Sequence, residues 1–307
     1  PRIGDRQITR EITGFNVPES ASAWAAIYNP DYTSSQENSF WKTAATELST
    51  ERVMGLPFLM ELDTEHYVAI TEACIDDFTS CYIGRSEGVH DGLVSLSTRL
   101  SPLPGEPVDG VKVRFDEQTT SPWRVILVAD HPGRFIESEI IQGLNPPCAI
   151  ADPSWIKPGL SAWDHWWSGE VKMETDVIKQ YIDLAAAEGW PYMLIDWQWY
   201  GPYNTPQADI TRPAPQLDMP GILAYARQKN VRCWLWLYCM DVNRNGAFHR
   251  AFAEYEKWGI AGIKIDFMDR DDQEMMRWYR RIVRCAAEHH LMVDFHGATK
   301  PAGRERT

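Results

Sequence analysis

The sequence predicts a β and an α/β domain in one chain: a β-sandwich over residues 1–147, then a partial (β/α)₈ TIM barrel over residues 148–307, with about five of eight strands. Three observations support this prediction. Short runs rich in β-branched residues fill the first half, a proline-rich stretch follows, and apolar runs then alternate with helical patterns. Consecutive strands without helices indicate a sandwich, whereas repeated strand–helix units indicate a parallel sheet.

The first domain is predicted from five strand-like segments: RVMGLPFLMEL, HYVAITEACI, GLVSLSTRL, VKVRFD and WRVILVAD. Several of them alternate apolar with polar residues, as half-buried strands do. Turn-forming pairs such as Asp91-Gly92 separate them, whereas the segment SFWKTAATEL predicts a short helix. The linker GLNPPCAIADPSWIKPG marks the domain junction, because closely spaced prolines break both helix and strand.

The second domain is predicted from repeated strand–helix units. Its strand-like runs are GLSAWDHWW, YMLIDWQWY, VRCWLWLY, GIKIDFM and LMVDFHG, which end near residues 167, 200, 238, 268 and 297. Helices are expected over residues 175–188, 220–229, 247–258 and 271–289. The runs are apolar almost throughout, as in parallel strands buried on both faces. No G-x-G-x-x-G follows a strand, which disfavours a nucleotide-binding sheet, and polar residues at the strand ends favour a barrel.

The composition argues against several classes of function. The net charge of −13 disfavours a nucleic-acid partner and an anionic membrane surface. No run of eighteen apolar residues is present, so no membrane span is expected. The six cysteines show no metal-binding spacing, and they leave the redox compartment open. A soluble enzyme acting on a neutral substrate fits these properties.

The most informative stretch for chemistry is GIKIDFMDRDDQEM. Asp266 ends an apolar strand there, and Lys264 lies two positions earlier on the same strand face. A carboxylate at the carboxyl end of a barrel strand points into the usual catalytic site, and a neighbouring cation keeps it ionised, as a nucleophile must be. A helix N-cap or a structural ion pair is the alternative. For Asp269, Asp271 and Asp272 the start of the following helix is the favoured interpretation.

Three further residues are candidates for contact with a substrate. Asp196 ends the second strand-like run and could accept hydrogen bonds from sugar hydroxyls, although a structural network fits almost as well. His296 shares a strand face with Asp294 and could donate to a substrate oxygen, with a buried core histidine as the alternative. Trp199 belongs to a chain with 14 tryptophans, whose flat rings could line a sugar-binding cleft. For most of these tryptophans core packing is the better explanation.

Long strings of the second domain resemble glycoside hydrolase family 97. They are HWWSG, AAAEGWPYMLIDWQWY, GIKIDFMDRDDQEM and LMVDFHGATKPAGRERT. The motif ITEAC extends the resemblance more loosely into the first domain. This family joins an N-terminal β-sandwich to a (β/α)₈ barrel, includes α-glucosidases and α-galactosidases, and uses calcium. The resemblance therefore implies an enzyme whose substrate is an oligosaccharide or another α-glycoside.

The resemblance also implies roles for particular residues. Retaining members carry an Asp nucleophile at the position of Asp266, whereas inverting members place a Glu base after the fifth-strand histidine, where this chain has Gly297. Both positions resemble the retaining, α-galactosidase-like branch. The family's acid/base Glu falls beyond residue 307, so the chain resembles one truncated at its C-terminus, and residues 1–307 alone are expected to be inactive and poorly stable. One calcium ligand lies in a motif similar to ITEA, which places it at Glu72.

The expected function is therefore hydrolysis of terminal α-linked galactose or glucose through a covalent glycosyl-enzyme on Asp266. Lys264, Asp196, His296 and Trp199 are expected around the substrate. An inactive, glycosidase-like carbohydrate-binding protein is the alternative, and the intact Lys264–Asp266 pair argues against it. The family's usual compartment implies a periplasmic or secreted protein, and the sequence predicts no oligomeric state.

Overall fold

The computed structural model describes residues 6–165 and 171–303. The chain divides into two compact units, one with Pro1–Ala149, Asp269–Arg280 and Gly297–Thr307, the other with Ile150–Met268 and Arg281–His296. The two short segments of the first unit fall within the second domain that the sequence predicts. The division into domains 1–147 and 148–307 stays a prediction. Among the described residues, no helix is long and apolar enough to cross a membrane.

The first unit consists mainly of antiparallel β-structure. Its strands are β1 (Arg6–Ile8), β2 (Gly14–Pro18), β3 (Ser22–Tyr28), β4 (Phe40–Ala44), β5 (Val53–Met54), β6 (Phe58–Glu61), β7 (Tyr67–Ala73), β8 (Cys81–Arg85), β9 (Leu93–Leu100), β10 (Val113–Phe115) and β11 (Trp123–Ala129). In the described part of the chain, one sheet has nine strands in the order β11-β7-β6-β3-β5-β8-β9-β2, with β4 paired to β3, and a second sheet pairs β1 with β10. Two one-turn helices follow, α1 (Gly133–Ile136) and α2 (Ile140–Gly143).

Alternation of apolar and polar residues explains these strands. Strand β9 reads LVSLSTRL and buries every second side chain from Val94 to Leu100, while the residues between are more exposed. The β-rich first half is therefore confirmed. The helix predicted for SFWKTAATEL is wrong, because Phe40–Ala44 pairs with β3 as a strand, and only Ala45–Glu47 forms a 3₁₀ turn.

The second unit alternates strands with helices, as predicted. The five strands described in this unit are all parallel, in the order β12 (Ser161–Trp163), β13 (Tyr192–Ile195), β14 (Arg232–Tyr238), β15 (Gly262–Asp266) and β16 (Met292–His296). The helices are α3 (Thr175–Ala187), α4 (Met219–Gln228), α5 (Cys239–Asn243), α6 (Ala247–Trp258) and α7 (Gln273–Glu288), with a 3₁₀ turn at Arg244–Gly246. Helix α7 contains residues of both units. A parallel α/β sheet is thus present, and its closure into a barrel stays a prediction.

Two strands end earlier than the sequence predicts. Strand β12 ends at Trp163 rather than near residue 167, and residues 166–170 lie outside the described residues. Strand β13 ends at Ile195 rather than near residue 200. Here the backbone leaves the sheet because the N–H of Trp197 donates to the Asp196 carboxylate (2.8 Å) and Gln198 adopts a left-handed φ of 68°.

Strand β15 lies in the buried interior of this unit. All five of its residues are buried, with a parallel neighbour on each side. Gly262 begins the strand, and a Cβ there would lie 2.6 Å from the ring of Trp234 and 2.7 Å from the carbonyl oxygen of Met292. The absence of a side chain at Gly262 therefore lets β14, β15 and β16 approach closely.

Candidate active site

The strand register brings two rows of side chains towards the carboxyl edge of the parallel sheet. Residues two apart on one strand lie on the same face, and paired residues lie side by side. In the order β14, β15, β16, the two rows are Trp236–Lys264–Asp294 and Tyr238–Asp266–His296. The sheet thus places the predicted nucleophile, the predicted cation and His296 next to one another.

Asp266 is buried, and both of its carboxylate oxygens are hydrogen-bonded. Oδ1 accepts the backbone N–H of Phe267 (2.9 Å), and Oδ2 accepts the indole N–H of Trp236 (3.1 Å). His296 Nδ1 lies 2.9 Å from Oδ2, and because a carboxylate only accepts, that nitrogen carries the proton. Lys264 Nζ lies 3.7 Å from the same oxygen. Three hydrogen bonds and one ion pair therefore converge on one carboxylate and fix its orientation.

Lys264 is shared between two carboxylates. Its Nζ lies 3.2 Å from Asp196 Oδ2 and 3.7 Å from Asp266 Oδ2, and it sits 4.6 Å from the ring centroid of Trp163. The sequence pairs Lys264 with Asp266 alone, whereas in the structure Asp196 is its nearer partner. The ring of Trp163 adds a cation–π contact to the same ammonium group.

Asp196 belongs to a dense hydrogen-bond network. Its Oδ2 accepts the Lys264 ammonium and the indole N–H of Trp163 (2.7 Å), and its Oδ1 accepts the backbone N–H of Trp197 (2.8 Å). Its own backbone N–H donates to Oδ1 of Asp164 (2.9 Å). The structural network that the sequence left open is therefore present, and contact of Asp196 with a sugar hydroxyl stays a prediction.

Asp164 was not predicted as a site residue. It directly follows β12 and is only 2% exposed, and its Oδ2 has no hydrogen-bond partner among the described residues. Burial raises the pKa of Asp164 to about 7, and the negative charge of Asp196 acts in the same direction. Burial also lowers the pKa of the adjacent His165. An uncharged carboxyl group thus lies beside the Asp196–Lys264 ion pair at acidic pH.

Aromatic rings line the region next to the nucleophile. Ring centroids are 5.9 Å apart for Tyr238 and Phe267, 5.4 Å for Tyr203 and Tyr238, and 5.3 Å for Tyr203 and Trp236. Phe267 directly follows Asp266 and remains 42% exposed. Rings of this kind offer an apolar surface on which a sugar or its leaving group can pack.

Trp199 does not fit the predicted contact with a sugar. Its side chain is 0% exposed, and its indole N–H donates to the backbone carbonyl of Trp236 (2.6 Å). The ring packs edge-on against those of Tyr200, Tyr255 and Trp258. A ring without an exposed face cannot stack on a pyranose, so Trp199 belongs to the core that supports β14.

Glu72, the predicted calcium ligand, lies in β7 of the first unit and is 0% exposed. Its Oε1 lies 2.6 Å from Lys300 Nζ and accepts the backbone N–H of Cys81 (2.8 Å), while its Oε2 pairs with Arg124. Two cations thus neutralise this carboxylate. Within residues 6–165 and 171–303, no group of three His, Cys, Asp or Glu side chains is arranged to hold a metal. Calcium binding by Glu72 stays a prediction.

Three contacts that define the local structure were not predicted from the sequence. Trp236 reaches the nucleophile, and its position could have been found, because aligning the ends of β14 and β15 places it opposite Lys264. Asp271 was assigned to a helix start, but it is buried in the first unit and accepts the hydroxyls of Tyr82 and Ser101, each at 2.6 Å. Burial raises the pKa of Asp271. No local pattern signals these partners, since both lie more than 150 residues away.

Two family models match the chain. Glycosyl-hydrolase 97 N-terminal matches residues 1–147, and Glycoside hydrolase 97 matches residues 157–307. A probable retaining alpha-galactosidase of Streptomyces bingchenggensis is 32% identical over 308 residues, which are 99% of this chain and 45% of that protein. A retaining alpha-galactosidase of Bacteroides thetaiotaomicron is 32% identical over 313 residues, covering 95% of this chain and 46% of that protein.

The chain spans about half the length of the curated relatives it matches. A solved structure of a glycoside hydrolase family 97 enzyme from Pseudoalteromonas sp. strain K8, in complex with acarbose, superposes with a TM-score of 0.83 at 24% identity. That match covers 98% of this chain and 49% of the other, and it shows a common fold. Together the two family models account for nearly every residue, and the chain belongs to glycoside hydrolase family 97.

Proposed function

We propose that the protein containing this chain is a retaining α-glycosidase that removes terminal α-linked galactose or glucose. The observation that carries the proposal is the environment of Asp266, a buried strand-end carboxylate with donors on both oxygens and Lys264 3.7 Å away. Family membership supports the same reaction, as do the two relatives named as retaining alpha-galactosidases.

In this reaction Asp266 is the nucleophile. One of its oxygens bonds to the anomeric carbon while the bond from that carbon to the leaving oxygen breaks. The leaving oxygen takes a proton from a general acid, a Glu that the family resemblance places beyond residue 307. Water then attacks the anomeric carbon while the bond from that carbon to the Asp266 oxygen breaks and regenerates the carboxylate. The same Glu takes the proton from the water, and the sugar departs with its configuration retained.

Lys264, Asp196 and His296 support the nucleophile and contact the sugar. The Lys264 ammonium has three N–H donors, of which one bonds to Asp196, and Asp266 lies 3.7 Å away as an ion-pair partner, so a further N–H suits a sugar hydroxyl. The side chain of His296 is 48% exposed and its Nδ1 donates to Asp266, so His296 orients the nucleophile, and its contact with a substrate oxygen is part of the proposal. Asp196 accepts a hydrogen bond from the Lys264 ammonium and so holds that group in position near Asp266.

We further infer that β12–β16 are the first five strands of a (β/α)₈ barrel, and that the β-rich first unit is the sandwich domain of the family. Five parallel strands in sequence order, each joined to the next through helical segments, support the barrel. The candidate residues also cluster at the carboxyl ends of these strands, where barrel enzymes place their active sites.

A calcium ion is expected from the family alone. Lys300 and Arg124 occupy the two oxygens of Glu72, so calcium would have to replace the Lys300 ammonium before Glu72 could bind it. No catalytic step is therefore assigned to the ion. A periplasmic or secreted location is a proposal of the same kind, supported by the family resemblance.

The test uses the full-length protein and proton NMR of the first sugar released from α-galactosides and α-glucosides. A retaining enzyme releases the α-anomer first, and an initial β-anomer would show that the proposal is wrong. The Asp266→Ala variant should lose turnover, and azide should restore some as a β-glycosyl azide. Wild-type protein that binds these sugars without turning them over would instead support the carbohydrate-binding alternative.

A further inference from the structure

The indole N–H of Trp236 points at the predicted nucleophile rather than at solvent. Trp236 lies in β14, opposite Lys264 of β15, and its side chain is fully buried. Its Nε1 donates to Oδ2 of Asp266 over 3.1 Å. A hydrogen bond from a buried donor to a carboxylate is stronger than one between neutral groups, and it is directional.

The ring of Trp236 is itself held from several sides. Tyr200 stacks on it with centroids 6.3 Å apart and an angle of 16° between the planes, and Tyr203 meets it edge-on at 5.3 Å. Its backbone carbonyl accepts the indole N–H of the buried Trp199 (2.6 Å). Trp236 therefore presents its N–H from a fixed position, and Trp199 supports it from behind the strand.

The two oxygens of Asp266 are distinguished by their donors. Oδ2 bonds with the rings of Trp236 and His296, while Oδ1 accepts the backbone N–H of Phe267, whose left-handed φ of 64° follows the strand end. The terminal torsion of an Asp side chain is soft, so a carboxylate without such donors samples a wide range of angles. Rotation at Asp266 would break these bonds together.

We propose that Trp236 is a positioning residue, which anchors Oδ2 of Asp266 and thereby fixes the angle at which the carboxylate meets the anomeric carbon. The proposal rests on the proposed role of Asp266 as nucleophile. Attack is efficient only when the reacting atoms are close and aligned, and an error on the order of 1 Å can lower the rate about 100-fold. Trp236 acts through Asp266 and does not itself react.

A buried tryptophan could also bond to Asp266 merely because that acceptor is near. Trp234 provides the comparison, since it lies two residues earlier on the same strand and its buried Nε1 has no partner among the described residues. The strand therefore tolerates an indole N–H without an acceptor. Trp234→Phe is consequently a matched control, because it makes the same change on β14 without removing a hydrogen bond to Asp266.

The experiment compares Trp236→Phe and Trp234→Phe in the full-length protein, with an activated aryl α-galactoside as substrate. We expect Trp236→Phe to lower kcat on the order of 10- to 100-fold, as loss of a hydrogen bond to a charged group does, with KM changed less than about threefold. The acid limb of the kcat/KM profile should move to higher pH, because the ionised carboxylate has lost a donor. Trp234→Phe should leave kcat and the pH profile unchanged.

Equal losses of kcat in Trp236→Phe and Trp234→Phe would overturn the proposal. A Trp236→Phe enzyme with the wild-type kcat and an unshifted acid limb of the kcat/KM profile would also overturn it. If Trp236→Phe does not fold, benzothienylalanine at position 236 keeps the shape of the ring and replaces only the N–H, and the same outcomes apply. Asp266→Ala separates the two claims. An active Asp266→Ala enzyme contradicts the proposed function, whereas an inactive one beside a normal Trp236→Phe enzyme contradicts the positioning role alone.

Discussion

Lys264 Nζ lies 3.2 Å from Oδ2 of Asp196, nearer than the 3.7 Å that separates it from Oδ2 of Asp266. All three side chains are buried, so their interactions are weakly screened by water. One cation balances only one of two carboxylates when both are ionised. A change of charge at Asp196 therefore alters the electrostatic interaction between Lys264 and Asp266. This coupling needs no hydrogen bond between the two carboxylates.

The first prediction concerns removal of this shared cation. Lys264→Met leaves two buried carboxylates without their counter-ion, and breaking a buried pair from one side typically costs about 3–5 kcal/mol of unfolding free energy. We expect a loss of that order in urea unfolding, together with a large loss of kcat/KM. Adding Asp196→Asn to the variant should recover part of the stability, because it removes one of the two charges.

Lys257→Met is the control for Lys264→Met. Lys257 is 70% exposed and pairs with Glu254 at 3.0 Å on the surface of α6, so its loss should change stability by less than about 1 kcal/mol. Equal effects of the two substitutions would contradict the idea that Lys264 neutralises buried charge.

The sequence predicts the contacts in this site that are made within a single strand. Lys264 and Asp266 are two residues apart on β15, so strand periodicity alone places them together. The contact of Lys264 with Asp196 joins residues 68 apart in sequence, and it depends on register and on where β13 ends. Trp199 shows the consequence: a strand predicted to reach residue 200 puts this ring at the mouth of the sheet, whereas the strand ends at Ile195 and the ring turns into the core.

The parallel sheet was predictable from the sequence, whereas the division of the second half between the two units was not. Apolar runs alternating with helical patterns identify the parallel sheet, because its strands are buried on both faces. Segments of the second half that belong to the first unit could not be predicted in this way. Residues such as Asp271 and Lys300 reach Tyr82 and Glu72 through contacts between distant parts of the sequence, and local periodicity carries no information about those contacts.

The second prediction concerns Glu72. In calcium-free solution, Glu72→Gln leaves Lys300 and Arg124 without one of their counter-charges in a buried position, so we expect a loss on the order of 3 kcal/mol of unfolding free energy. Thermal melting with a chelator present measures it. An unchanged melting temperature would show that these contacts do not stabilise the protein.

Adding calcium back tests the ligand assignment separately. A calcium ion held by Glu72 would stabilise the wild-type protein and would stabilise the Glu72→Gln variant much less, since a ligand that binds only the folded state raises its stability. An equal response of the two proteins to calcium would remove Glu72 from any calcium site.

The third prediction concerns the pH dependence of stability and follows from Asp164. Burial raises the pKa of Asp164 from 3.8 to about 7, and the charge of Asp196 adds to this shift, whereas the backbone N–H of Asp196 and the Lys264 ammonium oppose it. Between these pH values the folded protein holds a proton that the unfolded chain has lost. The contribution of Asp164 to stability is therefore fully present below pH 3.8 and is lost as the pH rises through 7.

Asp164→Asn removes this titration while its side-chain oxygen can still accept the N–H of Asp196. We expect the variant to gain stability relative to wild type as the pH rises from 4 to 8, by a total on the order of 2–4 kcal/mol, since one pKa unit corresponds to about 1.4 kcal/mol. Urea unfolding at several pH values measures the difference. Asp130→Asn, at a position 76% exposed, is the surface control and should change stability far less than Asp164→Asn. If the effect of Asp164→Asn did not vary with pH, Asp164 would not titrate differently in the folded protein.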